Sequence, residues 1–550
     1  MRVFVRAKLL LLLTSLLVLI ATVPLTVIAF RLQAVHATAT SKGLKKQYTS
    51  SRTFNSTIPD WSEFHGDAAR DGNLSTNTNL SKANAKSLVP VSGPGFTSTG
   101  SVEGSPASYQ GIVYYAANKP VADPTGTLHI STMYAVDATT GQTVWSEQFP
   151  ACRKLTRPEY TSSSPAVTSG LVNGVLTTEV FIGWGTDNSG KPGCIYDFNG
   201  LDGTLIWSFK TNGVVYSSPG IMSTSNGNLV VVGDDDNYIH AFSVNYNGSL
   251  GGKGVEVWSY SNANDPPPPG YSQYCLPAPE LCGDAVWSSP AEGLVMVNNQ
   301  PHHYLYFAIG AEKNTVGRVD AIDMDTIVNN SPTLAWAFWD PHPQDNNDFG
   351  DVLVLTDANG FATRVYSGNN SGDMFGVDGA TGAMYFDFNT TAQYGVNGRI
   401  VSTGALVTIN GTTELIFSAG CASTTCLSSG GSVWAIDALS TQKGGTVLWR
   451  SQNFGNHIVS SPIVANQGTN AVVFIMGPWR LDYASHGDLI ALDPVTGATL
   501  ADYPVFNHAY GTVSSPAIYG NRVFVTEGYN TYGSSNPGGG GLAAFQCSAC

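Results

Sequence analysis

Apolar and polar positions alternate along this chain in short runs rather than in helical stripes. In the stretch 101–145, SVEGSPASYQGIVYY…MYAVDATTGQTVW, a small-residue turn and a Ser-Pro step at Ser105-Pro106 lead into the alternating run GIVYY. The segment YAVDATTG follows and the unit ends at Trp145. Each piece has the period-2 pattern of a short antiparallel strand, with turn residues between the pieces. The same order returns from SSSPAV to Trp207 and from YSSPGI to Trp258, so the chain is a repeat.

The proline of the Ser-Pro step marks the copies. It falls at Pro106, Pro165, Pro219, Pro290, Pro462 and Pro516, and the long gap after Pro290 holds two degenerate copies, one near Gly350 and one near Thr403. Eight units of roughly fifty to seventy residues match four-stranded propeller blades with variable loops. A β-sandwich would also show many short strands. It would not repeat one turn as AVDATTG, GVDGATG and ALDPVTG at 135–141, 376–382 and 491–497. The expectation is an all-β, eight-bladed β-propeller over residues 60–546. The last unit lacks the TGxxxW tail, so an N-terminal strand near Leu88–Val91 is expected to supply the missing edge beside the segment Pro516–Phe545. Residues 60–73, DWSEFHGDAARDGN, precede the first full blade.

The start of the chain is different. Arg2, Arg6 and Lys8 precede an apolar run from Leu9 to Phe30, and Val35-His36-Ala37 offers small residues for cleavage. Residues 1–37 are expected to act as a signal peptide or N-terminal membrane anchor, followed by a Ser/Thr/Lys-rich linker over 38–59. The body would then lie outside the cytoplasm, secreted or held at the outer face of the membrane. Only 12% of residues are charged, Gly is abundant at 60 residues, and a net charge of −14 argues against a nucleic-acid surface. Closely spaced cysteines suit an oxidising compartment: Cys275 with Cys282, Cys421 with Cys426, and Cys547 with Cys550 in a C-terminal tail are expected disulfides, with zinc as the rival. Cys194 is an open partner for Cys152.

The blade tail, with a Trp four residues past a Gly (Gly141/Trp145, Gly203/Trp207, Gly254/Trp258, Gly445/Trp449), resembles the tryptophan-docking motif of quinoprotein propellers. The likeness extends to dehydrogenases that hold pyrroloquinoline quinone (PQQ) on the axis of an eight-bladed ring, polyvinyl-alcohol dehydrogenase-like members among them. The resemblance implies site residues one by one. Glu103 corresponds to the acidic residue facing the quinone, and Cys152 and Arg157 to the family's cysteine and quinone-binding arginine. Asp234, Asp235 and Asp236 lie where a calcium-ligating carboxylate is found. Trp287 corresponds to the aromatic floor, and Asp348 to the catalytic aspartate. It further implies PQQ and Ca²⁺ as cofactors and a small or polymeric alcohol as substrate. Such chemistry needs a base for the hydroxyl proton, a cation on the quinone carbonyl and a flat floor.

The sequence departs from the family at three places. Ala311 stands where an amide ligand to calcium is expected, and Asn370 where a basic residue reaches the quinone oxygens. No CxxCH exists for haem, so electrons would leave to a separate acceptor such as a cytochrome c or a quinone. The alternative is a cofactor-free propeller that serves as a binding or assembly scaffold, since the same repeat builds both. Phosphate loops, HExxH and GxSxG elbows are absent from the sequence.

Overall fold

The computed structural model describes residues 58–76, 78–96, 100–122, 128–150, 152, 160–185, 192–265, 271, 285–310, 316–342, 347–390, 398–420, 431–454, 460–477, 487–505, 514–528 and 540–550. All lie within one compact unit, Phe54–Cys550. The N-terminal segment, Arg157, Ala311, and the pairs Cys275/Cys282 and Cys421/Cys426 fall outside the described residues.

Eight sheets follow one another along the chain, each with four antiparallel strands, and two of them gain a short parallel edge strand, Asn73–Leu74 and Gly252–Lys253. Blade 1 opens with Ala107–Tyr109, blade 2 with Ala166–Val172, blade 3 with Gly220–Met222 and blade 4 with Ala291–Val297. Blade 5 opens with Phe349–Thr356, blade 6 with Ala405–Ile409, blade 7 with Ile463–Ala465 and blade 8 with Ala517–Tyr519. Blades 5 and 6 are the degenerate copies. Blade 8 takes its outer strand from Leu88–Pro90, which pairs antiparallel with Gly541–Cys547 in the register Leu88↔Cys547 and Pro90↔Phe545. The protein is an eight-bladed β-propeller closed by an N-terminal strand.

Second strands are buried on both faces by neighbouring blades, which is why Leu229–Gly233 and Val472–Gly477 read as unbroken apolar runs. Outer strands are wet, as in Thr143–Gln148, where only Trp145 is buried. That tryptophan clamps the next blade. Its Nε1 donates to Gly200 O at 2.7 Å, and its ring lies on Gly203, where a Cβ would stand 2.7 Å from the ring. Gly203 also has φ +75°, so glycine is required there twice over. Trp336 repeats the clamp on Gly379 O at 3.1 Å and Trp449 on Pro494 O at 2.6 Å. Phe388 occupies the same place against Gly445, and Phe96 against Gly141.

The Ser-Pro markers form a closed belt around the axis. Each blade's backbone N–H donates to the next blade's side chain: Ser105 to Ser164 (2.9 Å), Ser164 to Ser218 (3.0 Å) and Ser218 to Ser289 (3.1 Å). Ser289 donates to Asp351, and the Thr403 hydroxyl donates to the other oxygen of Asp351 at 3.3 Å. Thr403 N–H then reaches Ser461 (2.9 Å), Ser461 N–H reaches Ser515 (3.0 Å), and Ser515 N–H returns to Ser105 at 2.7 Å. Asp351 and Thr403 thus hold the marker position in the two degenerate blades.

Residues 60–74 run past the first strands of the blades in turn. Ser108 and Val167 donate N–H to Trp61 O and Ser62 O, both at 2.7 Å, and Ile221 donates to the Glu63 carboxylate at 3.0 Å. Glu292, Val354, Leu406 and Val464 donate to Ala68, Ala69, Asp71 and Gly72 at 2.7 to 2.8 Å. Blades 1 to 7 are therefore touched in order, and Thr78 reaches Gly520 O of blade 8 at 2.8 Å. Arg70 is fully buried at the centre of this segment. It donates to Phe64 O, Pro219 O and Pro290 O and pairs with Glu63 at 3.3 Å. Burial pushes Glu63 up to about 7, against the pull of Arg70.

Two disulfides are present among the described residues. Cys547–Cys550 has a Cα separation of 5.6 Å, as the spacing implied, and Cys152 pairs with Cys194 at 6.4 Å.

Candidate functional site

The residues just before the first strands converge on the axis because every blade enters from its outer strand at the same end of the ring. They enclose a cavity of about 250 Å³ whose wall includes Glu103, Ser162, Tyr216, Trp287 and Val401, with Phe64 from the N-terminal segment and the belt residues Ser105, Ser164, Ser218, Ser289, Asp351 and Ser461. Seven blades contribute, and no two of the larger side chains are alike.

Trp287 is held in place from two directions. Its Nε1 donates to Asp235 Oδ1 at 2.6 Å, and Tyr216 meets it edge-on with centroids 6.0 Å apart. Gly310 separates Trp287 from Asp348. A Cβ built on Gly310 would stand 3.3 Å from Asp348 Oδ1 and 3.9 Å from the Trp287 ring, so the carboxylate stands beside the indole. Asp348 is buried, and its Oδ2 accepts Asn370 Nδ2 at 2.9 Å. Asn370 in turn accepts Arg399 Nε through Oδ1 at 2.7 Å. Burial lowers the Arg399 pKa, and the nearby Asp348 charge opposes this. The relay therefore carries a cation that the sequence reading lacked. Asn370 is neutral, and the charge comes from the entry to the next blade.

The remaining candidates have other partners. Asp234 is fully buried: its Oδ1 accepts the N–H groups of Asp236 and Tyr238 at 3.0 Å, and its Oδ2 takes Gly213 N–H at 3.0 Å and His240 at 3.1 Å. Burial works against charge on His240, yet hydrogen bonds to Asp234 and Glu256 outweigh it and hold the imidazole up at about 9. Asp235 is bonded to Trp287, and Asp236 is exposed. Cys152 carries no free thiol, being bonded to Cys194. So Glu103 and Trp287 share the cavity, Asp348 lies across Gly310 from Trp287 with Asn370 bonded to it, and Asp234 serves its own turn. Sequence reasoning missed Asp351, Arg399 and Tyr216. Asp351 had a usable signal, the alignment of FGD with the SSP marker, whereas a single Arg before a blade has none.

An eight-bladed ring with docking aromatics and an axial cavity defines a PQQ-like repeat propeller. The chain belongs to the family whose model, PQQ_2, is described as "Outer membrane protein assembly factor BamB" and matches residues 129–300 and 333–542. Comparison with curated proteins gives no match. Among solved structures, the chain is similar to a europium-containing methanol dehydrogenase, with a TM-score of 0.61 and 14% identity over 89% of this chain and 98% of that one. It is also similar to the quinohemoprotein alcohol dehydrogenase from Comamonas testosteroni (TM-score 0.58, 16% identity, 90% and 81% covered). A third is the quinohemoprotein alcohol dehydrogenase ADHIIG from Pseudomonas putida HK5 (TM-score 0.60, 14% identity, 90% and 81% covered). At these identities the likeness shows the shared fold.

Proposed function

We propose that the axial cavity takes a flat quinone of the PQQ type and that the protein oxidises an alcohol outside the cytoplasm, with Asp348 as the proton acceptor. One observation supports this reading: an oriented indole and Glu103 line one cavity from different blades, and the Asp348 carboxylate lies across Gly310 from that indole. At about 250 Å³ the cavity lies just under the span of small-molecule sites, roughly 300–1,000 Å³, and an indole of fixed orientation stands in its wall. These features fit a flat ring. The Asp234–Asp236 run does not fit a calcium cradle, because both Asp234 oxygens are spent on amides and His240.

Bound in this slot, PQQ would supply the two-electron oxidant. Asp348 would take the hydroxyl proton, and Asn370 with Arg399 would favour its anionic form by hydrogen bond and charge. Trp287, fixed by Asp235, would set the plane of the ring. The two disulfides support an oxidising compartment. Electrons would pass to a separate carrier, since the sequence has no haem-attachment motif.

The test is titration of the purified full-length protein with PQQ, read by tryptophan quenching and quinone absorbance, then dye reduction with short alcohols and polymeric diols. Saturable binding that Trp287→Leu weakens, followed by alcohol-dependent dye reduction, is expected. No saturable binding overturns the reading. The scaffold alternative has its own observation: Leu171, Val175 and Leu176 are exposed on one hairpin of blade 2, and the loop bearing exposed Leu250 and Val255 is hydrogen-bonded to it through Tyr246 N–H to Leu171 O.

A further inference from the structure

Away from the axial cavity, three metal-ligating side chains meet at the crossing from blade 4 to blade 5. His342 lies on the crossing, Asp373 opens the third strand of blade 5 (Asp373–Asp378), and Asp387 is on its fourth (Met384–Asn389). One ligand atom of each lies within 4.8 Å of the other two. His342 Nδ1 is 3.5 Å from Asp387 Oδ2, close to the separation of about 3.4 Å between tetrahedral ligands each about 2.1 Å from an ion.

A second observation sets this group apart from a solvated acidic patch. The Asp387 side chain is only 7% exposed, and its Oδ1 is wholly buried with no hydrogen-bond partner. Leaving an oxygen so is unfavourable, and more so when the group is charged. Asp373 is equally buried, and amides from Asn369 and Asn389 hold its oxygens in position while leaving each a free lone pair. Two carboxylates thus face one another at close range. His342 is half-exposed, which leaves room for water as a further ligand.

We propose that His342, Asp373 and Asp387 form a binding site for a divalent transition ion of the zinc type. Carboxylates alone would suit calcium or magnesium, but an imidazole in a three-ligand set shifts the preference to borderline ions. The site would also brace the segment that carries the axial carboxylate. Asp340 accepts His342 N–H at 2.8 Å and Asn369 Nδ2 at 3.2 Å, and Asn347, the residue before Asp348, also donates to Asp340. Asn369 precedes Asn370. An ion at His342 would thus pin both ends of the Asp348–Asn370 contact without touching the cavity.

The experiment needs no quinone and no turnover. Untagged full-length protein, stripped with chelator, is titrated with Zn²⁺ and, separately, Ca²⁺ by calorimetry, and bound metal is counted after dialysis. One equivalent of Zn²⁺, bound at least about tenfold more tightly than Ca²⁺, is expected. Asp387→Asn keeps the shape and should weaken zinc by at least about tenfold, as should His342→Ala at a half-exposed position. Zinc should raise the unfolding temperature of the wild type and of neither variant. Absence of stoichiometric zinc, unchanged affinity in the two variants, or equal affinity for calcium overturns the site.

Discussion

At the marker positions seven of the eight links are the same, a backbone N–H handed to a side-chain oxygen on the next blade, and in the eighth the Thr403 hydroxyl donates back to Asp351, so that the belt closes at Ser515 and Ser105. On the cavity wall beside them the blades diverge, giving a glutamate, a serine, a tyrosine, a tryptophan and a valine in turn. The belt solves a problem that all blades share, the joining of neighbours around an axis, so any small oxygen acceptor serves and eight positions converge on Ser, Thr or Asp. Under the proposed function, the wall answers to a ligand that has no eightfold symmetry. Where a repeat protein breaks its own period next to a cavity, the break marks chemistry.

Substitutions that act on one region and spare the other test this contrast. The largest effect is expected just behind the wall, across Gly310 from Trp287: Asp348→Asn should lower alcohol oxidation by about 10² to 10⁴-fold while leaving quinone affinity and unfolding temperature near wild type. A matching loss of binding would show that Asp348 shapes the cavity instead. Below the belt, Arg70→Met leaves Glu63 buried without its partner and should cost about 3–5 kcal/mol in urea unfolding, as broken buried pairs do. A change under about 1 kcal/mol would mean that water replaces the guanidinium.

A milder loss belongs to the belt. Ser515→Ala strands the buried Ser461 N–H and should cost about 1–3 kcal/mol, with quinone binding unaltered because Ser515 is not part of the wall. The smallest effect is a slope with pH. Within blade 2, burial raises Glu179 to about 7, and burial with the Glu179 charge raises Asp197 well above its usual range. The folded state keeps protons that the unfolded chain has already released, so this pair's contribution is complete in acid and is lost as pH climbs from about 4.5 to about 7. Glu179→Gln should flatten the unfolding temperature between pH 5 and 8. An unchanged slope would place its origin at other buried acids such as Glu292, which burial raises to about 8.

The ring was legible because its cause is periodic. Ser-Pro steps and docking tryptophans recur at the spacing of the blade, and the missing tail of blade 8 pointed to the strand at Leu88. Trp336 escaped notice, since its strand follows the Asn329-Asn330 turn rather than TGxxxW. The role of residues 60–74 could not be read: its bonds run mainly through backbone carbonyls, which any sequence offers, and its partners lie up to 397 residues away. The site was half legible. Glu103 and Trp287 each stand two residues before a marker, so the repeat brings both to the cavity wall, whereas Asp348 stands three before Asp351 and lies behind that wall. Asp234 has the right residue type at a suitable offset, but His240 and three amide groups compete for it, and no spacing rule reports such competition.

The passage of residues 60–74 around the whole ring also bears on how the protein is made. This segment leaves the ribosome before any blade exists, yet its seats on blades 6 and 7 are Leu406 and Val464, and the strand Leu88–Pro90 waits for Gly541–Cys547. Early blades can collapse locally as they emerge. The axis cannot be sealed until nearly the entire chain has been synthesised, because the first-made segment needs the last-made partners. Arg70 and Glu63 have their partners in blades 3 and 4, so that pair can be covered well before the seats on blades 6 and 7 exist. A polypeptide released without its final two blades would leave the ring open and deprive Gly72 and His65 of their partners on blade 7.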